Sequence, residues 1–124
     1  MNPHAAVIFD VDGVLLDLTE PEEDAFFWPF AELHDLTGLS RDWDGYRIRN
    51  DEDIIEEILE GHFGRAPTSE EHRAVIDAYV GHMEANLRLK RLVPEVVPGT
   101  SELLAGLAGK ARLGIATANL LEVA

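Results

Sequence analysis

The chain contains no cysteine, so it forms no disulfide and offers no thiolate to a metal. Positive charge is scarce. Lysine and arginine number 10 against 24 aspartates and glutamates, a formal net charge of -14 with a pI of about 4.5. A surface this acidic lacks the basic stripe that neutralises phosphates, which excludes nucleic acid as a partner. It also repels anionic membranes. No apolar run approaches the roughly 20 residues that span a bilayer, and the N-terminus lacks the basic-then-apolar plan of a signal peptide. Repeats and low-complexity tracts are missing too. Together these absences set the expectation of a cytoplasmic protein. They also pose a question for any anionic substrate: something local, such as a metal ion, has to offset the charge.

What is present is ordinary globular composition, 46% hydrophobic and 27% charged over 124 residues. That length suits one domain, or one and a part. Residues 5–9, Ala-Ala-Val-Ile-Phe, are a short apolar run with β-branched members. They read as a strand buried on both faces, of the parallel-sheet kind. A loop is expected through Leu16 and Asp17. A helical block follows. Thr19 with Glu22 forms a capping-box signal, Phe26, Phe30, Leu33 and Leu36 an apolar stripe, and Gly38 a stop. Pro29 predicts a kink or break inside that helix. Residues 39–49 read as a loop. A second helix is expected from near Asn50, with Ile54, Ile55, Ile58 and Leu59, to about Gly61–Gly64. Thr68 with Glu71 opens a third, carrying Val75, Ile76, Tyr79, Val80, Met83 and Leu87. Pro94 and Pro98-Gly99 close the block. A short helix over 100–108 and a second apolar strand, Arg112 to Thr117, complete the pattern. Strand, helical block, helix, strand is the order of an α/β core interrupted by a helical insertion.

Chemistry concentrates at the ends of the two strands. Asp10-Val11-Asp12-Gly13 leaves the first one. In open α/β sheets ligands sit at the carboxyl ends of strands. One carboxylate there can attack an electrophile while the other moves a proton. A carboxylate pair also attracts Mg²⁺, a hard cation. Gly13 lets backbone N–H groups approach an anion. The competing interpretation is a solvated Asp turn. An EF-hand fails for want of acidic residues at the required offsets. Thr117-Ala118-Asn119 leaves the second strand, where a hydroxyl and exposed N–H groups suit a phosphoryl oxygen. Taken alone, that triplet is also common helix-start punctuation.

Taken together, the two sites resemble the motifs of the haloacid dehalogenase-like hydrolase superfamily, whose members are mostly Mg²⁺-dependent phosphatases. Val7-Ile8-Phe9-Asp10-Val11-Asp12-Gly13 is similar to the first motif and Leu113-Gly-Ile-Ala-Thr117-Ala-Asn119 to the second. Val97-Pro98-Gly99 through Leu104 resembles the helix that precedes the second motif. The phosphoglycolate-phosphatase-like branch is the most similar. The resemblance implies an α/β Rossmann-like core over 1–17 and 95–124, incomplete here with two strands, and an inserted α-helical cap over 18–94. It implies a hydrolase of small phosphate monoesters, phosphoglycolate-like, working through an aspartyl-phosphate. Asp10 would be the nucleophile and Asp12 the general acid and then base. The Asp10 carboxylate and the Asp12 backbone carbonyl would hold Mg²⁺. Thr117 would hydrogen-bond the phosphoryl group, with Gly13, Ala118 and Asn119 contributing binding groups around it. An acid at position 12 favours phosphoryl transfer over dehalogenation.

The family's third and fourth motifs, a basic residue and further acidic ones, have no counterpart after Asn119. Lys90, Arg91 and Lys110 do not take the third-motif place in chain order. The expectation is an N-terminal portion lacking most of the activity. A phosphomutase of the same fold and a non-catalytic binding or regulatory module are the alternatives. Self-association through the incomplete core stays open as well.

Elsewhere, Arg47 and Arg49 are candidates to grip the non-phosphate end of a substrate, against a solvated loop capped by Asn50. Trp43 and Tyr46 read as loop anchors. Asp51, Glu52, Asp53, Glu56, Glu57 and Glu60 read as an exposed helix face with favourable charge at its first turn. His4, His34, His62, His72 and His82 lack metal-ligand spacing and read as surface or packing residues.

Overall fold

The computed structural model describes residues 5–11, 14–17 and 19–117. The chain divides into two compact units. The segment up to Thr19 joins Val93–Thr117 in the first, and Glu20–Leu92 makes up the described part of the second. Among the described residues no helix is long and apolar enough to cross a membrane.

The first unit is α/β. Strand β1 (Ala6–Phe9) pairs in parallel with β4 (Arg112–Ile115), in the register Ala6↔Arg112 through Phe9↔Ile115. Helix α4 (Thr100–Leu107) precedes β4. Gly99 starts it with a φ of 88°, in the left-handed region that a glycine reaches without strain. Two strands were expected and four are found among the described residues. Leu16–Asp17 (β2) pairs antiparallel with Glu95–Val96 (β3), so the expected loop at Leu16 and Asp17 is a strand. Two-residue ladders carry no hydrophobic period, because the pairing comes from distant backbone.

The second unit is helical. Helix α1 spans Thr19–His34, α2 spans Asp51–Phe63 and α3 spans Ser69–Arg88, with a 3-10 turn at Trp43–Gly45. Thr19 is the first helical residue rather than the cap. Position 18 lies outside the described residues. Pro29 does not break α1. Its ring is fully buried, and edge-on packing of Phe26 against Tyr79 at 5.5 Å holds the segment. The helix stops at His34, four residues before the expected Gly38. Asp35 takes the left-handed conformation at φ 53°, which Asp tolerates better than most residues, and the Leu36 N–H returns to the Phe30 carbonyl. The core comprises Phe26, Phe30, Ile55, Leu59, Val75 and Tyr79, with their helical neighbours. Leu33 and Leu87, placed on apolar stripes by the sequence, are exposed.

The caps follow local rules. Asn50 Oδ1 accepts from the Asp53 N–H at 2.9 Å, and Gly64 ends α2 in the left-handed region. At α3 the capping box is complete: Thr68 Oγ1 accepts from the Glu71 N–H, and Glu71 accepts from the Thr68 N–H. Thr68→Ala costs about 1 kcal/mol of stability. Arg65 adds two contacts to the Glu71 carboxylate, at 2.8 and 3.1 Å. These hydrogen bonds, then that from the Thr68 backbone, hold Glu71 at about 2, below its ordinary 4.5. A depressed carboxylate stabilises the fold fully above 4.5 and loses that contribution as pH falls toward 2. Glu71→Gln therefore lowers the thermal midpoint at neutral pH. Parallel melts of both proteins down to acid pH converge across that window.

Candidate active site

Parallel pairing places the ends of β1 and β4 together. The ladder closes at Phe9↔Ile115, and one more bond, from the Ala116 N–H to the Phe9 carbonyl at 2.8 Å, carries it further. Asp10 is the first residue beyond β1 and Thr117 the second beyond β4. Both stand at the same carboxyl edge of adjacent strands, the place where α/β sheets bind ligands.

The turn after Asp10 is fixed by backbone bonds. The Val11 carbonyl accepts from the N–H groups of Val14, Leu15 and Leu16, at 3.2, 2.9 and 3.1 Å. Next, the Leu15 carbonyl accepts from the Val97 N–H at 3.0 Å and from the buried Thr100 hydroxyl at 3.5 Å. These contacts tie the segment behind Asp10 to the start of α4. The Asp10 side chain is aimed by its neighbour, with Oδ1 accepting from the Val11 N–H at 2.9 Å. Asp10 is exposed and Thr117 half-buried.

Of the remaining strand-end candidates, Asp12, Gly13, Ala118 and Asn119 lie outside the described residues. An exposed carboxylate at a strand end is the hard oxygen donor that Mg²⁺ takes, so Asp10 fits that ion in kind. Among the described residues no three His, Asp or Glu side chains converge into a metal cluster.

Arg47 and Arg49 lie in the second unit. Arg47 is held from three points: its backbone N–H and its Nε reach Glu57 at 3.1 and 3.2 Å, and a terminal nitrogen reaches Glu60 at 2.8 Å. The bond to Glu60, then the charge of Glu57, raises its pKa further. A shallow groove beside it is lined by Ile48, Asp53 and Glu56 along with these residues. An anion reaching Arg47 has to displace two carboxylates and pass two more. Arg49 has an exposed partner, Asp44, at 2.9 Å.

Glu57 and Glu60 were read as solvated and are half-buried partners of Arg47. Only their spacing of three along a helix, beside an arginine-bearing loop, hinted at that. The Val11 and Leu15 carbonyls that organise the Asp10 turn left no trace in the sequence, because backbone acceptors have no residue signature. Trp43 and Tyr46 do anchor the loop. Trp43 Nε1 donates to Glu23 at 2.8 Å and its ring stacks on Phe27 at 5.4 Å, while the Tyr46 hydroxyl donates to the Ser40 carbonyl. Burial, then the charge of Glu57, pushes the Tyr46 phenol up. The described histidines have packing or backbone neighbours. His82 stacks on Trp28 at 4.2 Å, His34 packs against His62 and Phe63, and His72 meets the Glu52 carbonyl.

No protein-family model and no curated protein matches the chain. Solved structures do. A hydrolase from Pseudomonas syringae superposes with a TM-score of 0.69 at 20% identity, over 95% of this chain and 51% of that one. A predicted phosphoglycolate phosphatase from Haemophilus somnus gives 0.62 at 16% identity, over 97% and 53%. A haloacid dehalogenase-like family hydrolase from Streptococcus pneumoniae gives 0.53 at 21% identity, over 91% and 49%. The chain thus spans about half the length of the structures it matches. The fold of this chain is that of the haloacid dehalogenase-like hydrolases, phosphoglycolate-phosphatase-like ones among them.

Proposed function

We propose that this chain carries the nucleophile and the phosphoryl-binding hydroxyl of a Mg²⁺-dependent phosphomonoester hydrolase acting on a small phosphorylated metabolite. The observation that carries the proposal is the placement of Asp10 and Thr117 at one carboxyl edge of two parallel strands. Asp10 attacks phosphorus and forms an aspartyl-phosphate. The leaving alkoxide takes its proton from Asp12. In the second half Asp12 removes a proton from water, the resulting hydroxide attacks phosphorus, and phosphate leaves with Asp10 restored. Thr117 and N–H groups near Gly13 and Ala118 hold the transferring oxygens, which carry the developing charge. When bound, Mg²⁺ supplies charge neutralisation between Asp10 and its anionic substrate. Its ligands in this proposal are the Asp10 carboxylate and the Asp12 carbonyl.

The Glu20–Leu92 unit takes the part of the cap in this reading. Arg49, with one exposed partner, is more readily released to a substrate than Arg47. A phosphoglycolate-like substrate remains the proposal for the complete hydrolase.

The first half-reaction is the test, because it leaves a covalent mark on the nucleophile. A hydrolase that carries this chain together with the basic and acidic residues of the third and fourth motifs is incubated with Mg²⁺ and acetyl phosphate, then reduced with borohydride, which converts an acyl phosphate at residue 10 to homoserine. Peptide mass spectrometry is expected to find homoserine at position 10 and to lose it when EDTA replaces Mg²⁺. An unlabelled Asp10 in folded protein refutes the nucleophile assignment.

A further inference from the structure

Thr100 is the first residue of α4, yet its hydroxyl does not cap that helix. The cap position is Gly99, which has no side chain to offer, and the Thr100 N–H closes onto the Val97 carbonyl at 3.1 Å. The Thr100 side chain is buried, where a hydroxyl needs a partner. It finds one 85 residues away in the chain, with Oγ1 donating to the Leu15 carbonyl at 3.5 Å. That carbonyl also accepts from the Val97 N–H at 3.0 Å. The Leu15 carbonyl and the Leu16 N–H belong to one planar peptide unit, so neither moves without the other. The Leu16 N–H donates to the Val11 carbonyl at 3.1 Å. Val11 in turn presents its own N–H to Asp10 Oδ1 at 2.9 Å. A continuous path thus runs from the Thr100 hydroxyl through the Leu15–Leu16 peptide and the Val11 backbone to the Asp10 carboxylate. Donors on a carbonyl polarise the N–H on the far side of the same peptide, which strengthens the next bond in the path.

We infer that Thr100 is a positioning residue for Asp10, holding the turn behind the carboxylate through the Leu15–Leu16 peptide. The inference rests on the reading of Asp10 as the nucleophile and extends it to a buried side chain that acts through backbone. Asp10 is exposed, so its carboxylate has little packing to aim it, and its direction depends on the backbone beneath. At 3.5 Å the hydroxyl bond is longer than the usual O–H···O distance, and the Val97 N–H stays in place when the hydroxyl is removed. Loss of the hydroxyl therefore loosens the aim of Asp10 without abolishing it. The effect is about tenfold on kcat, well short of removing the nucleophile.

The test uses Thr100→Val, which keeps the branched shape and deletes the donor, in a hydrolase that carries this chain. Its kcat is expected to fall about tenfold with KM within about twofold of the parent, because the loss falls on the orientation of the attacking group and not on substrate binding. Thr100→Ser, which returns the hydroxyl, recovers kcat to within about twofold of the parent. In Thr100→Val, amide exchange at Val14, Leu15 and Leu16 quickens by roughly fivefold or more, while β1 and β4 keep their protection. Ser101→Ala removes an exposed hydroxyl one residue on and leaves both readouts unchanged. A Thr100→Val kcat within about twofold of the parent overturns the inference. So does a loss that serine does not recover. Unfolding of Thr100→Val, or faster exchange throughout β1 and β4, marks a general loss of stability and overturns it too. Failure of the nucleophile reading shows separately, as an unlabelled Asp10 in the parent after borohydride, and takes this inference with it.

Discussion

If Asp10 is the proposed nucleophile, Asp10→Asn is expected to reduce phosphomonoester turnover by at least about 10³-fold in a hydrolase carrying this chain, acting on kcat rather than KM alone. The amide oxygen is a poor nucleophile and carries no charge for a metal. The loss is specific to chemistry, because Asp10 is exposed and the bond it accepts from the Val11 N–H remains available to an asparagine oxygen. Circular dichroism and the thermal midpoint are therefore expected to stay within error of the parent. Phosphate release from a panel of monoesters, measured with Mg²⁺ and with EDTA, checks the effect. Substantial residual turnover in folded Asp10→Asn protein means that the nucleophile lies elsewhere. Asp12→Asn gives a different pattern under the same proposal. It slows esters with poor leaving groups most, since those depend on a proton donor.

The largest effect on stability belongs to Phe30→Ala. Phe30 is fully buried and packs against Phe26 and Phe27 at 6.0 and 6.5 Å. Truncation costs about 3–5 kcal/mol, the lost transfer energy plus the cavity left behind. A unit the size of Glu20–Leu92 holds only roughly 4–11 kcal/mol in all, so the variant is close to unfolded. Urea unfolding followed by Trp43 fluorescence reads this out, because Trp43 packs on Phe26 and Phe27. Leu33→Ala is the control. Leu33 is exposed, and its truncation moves stability by no more than about 0.5 kcal/mol. Equal costs for the two would contradict the burial pattern.

Local chemistry made much of this protein legible. The capping box at Thr68 and Glu71 and the cap at Asn50 were readable because a side chain bonds backbone two or three residues away. Strands β1 and β4 announced themselves as short β-branched runs. Asp10 and Thr117 stood out because each follows such a run. Thus the sequence by itself determined the α/β order, both strand ends and the helices between them.

Other features needed the folded chain. That β1 and β4 are parallel neighbours in a register uniting Asp10 with Thr117 is a pairing across a hundred residues, which no local pattern encodes. Pro29 stays helical because aromatic packing outweighs the lost hydrogen bond, and α1 ends at Asp35 rather than Gly38 through its backbone turn onto Phe30. Arg47 is an anchor on α2 because folding brings Glu57 and Glu60 to it. In each of these cases the deciding energy comes from groups distant in sequence, and only the tertiary structure puts them in contact.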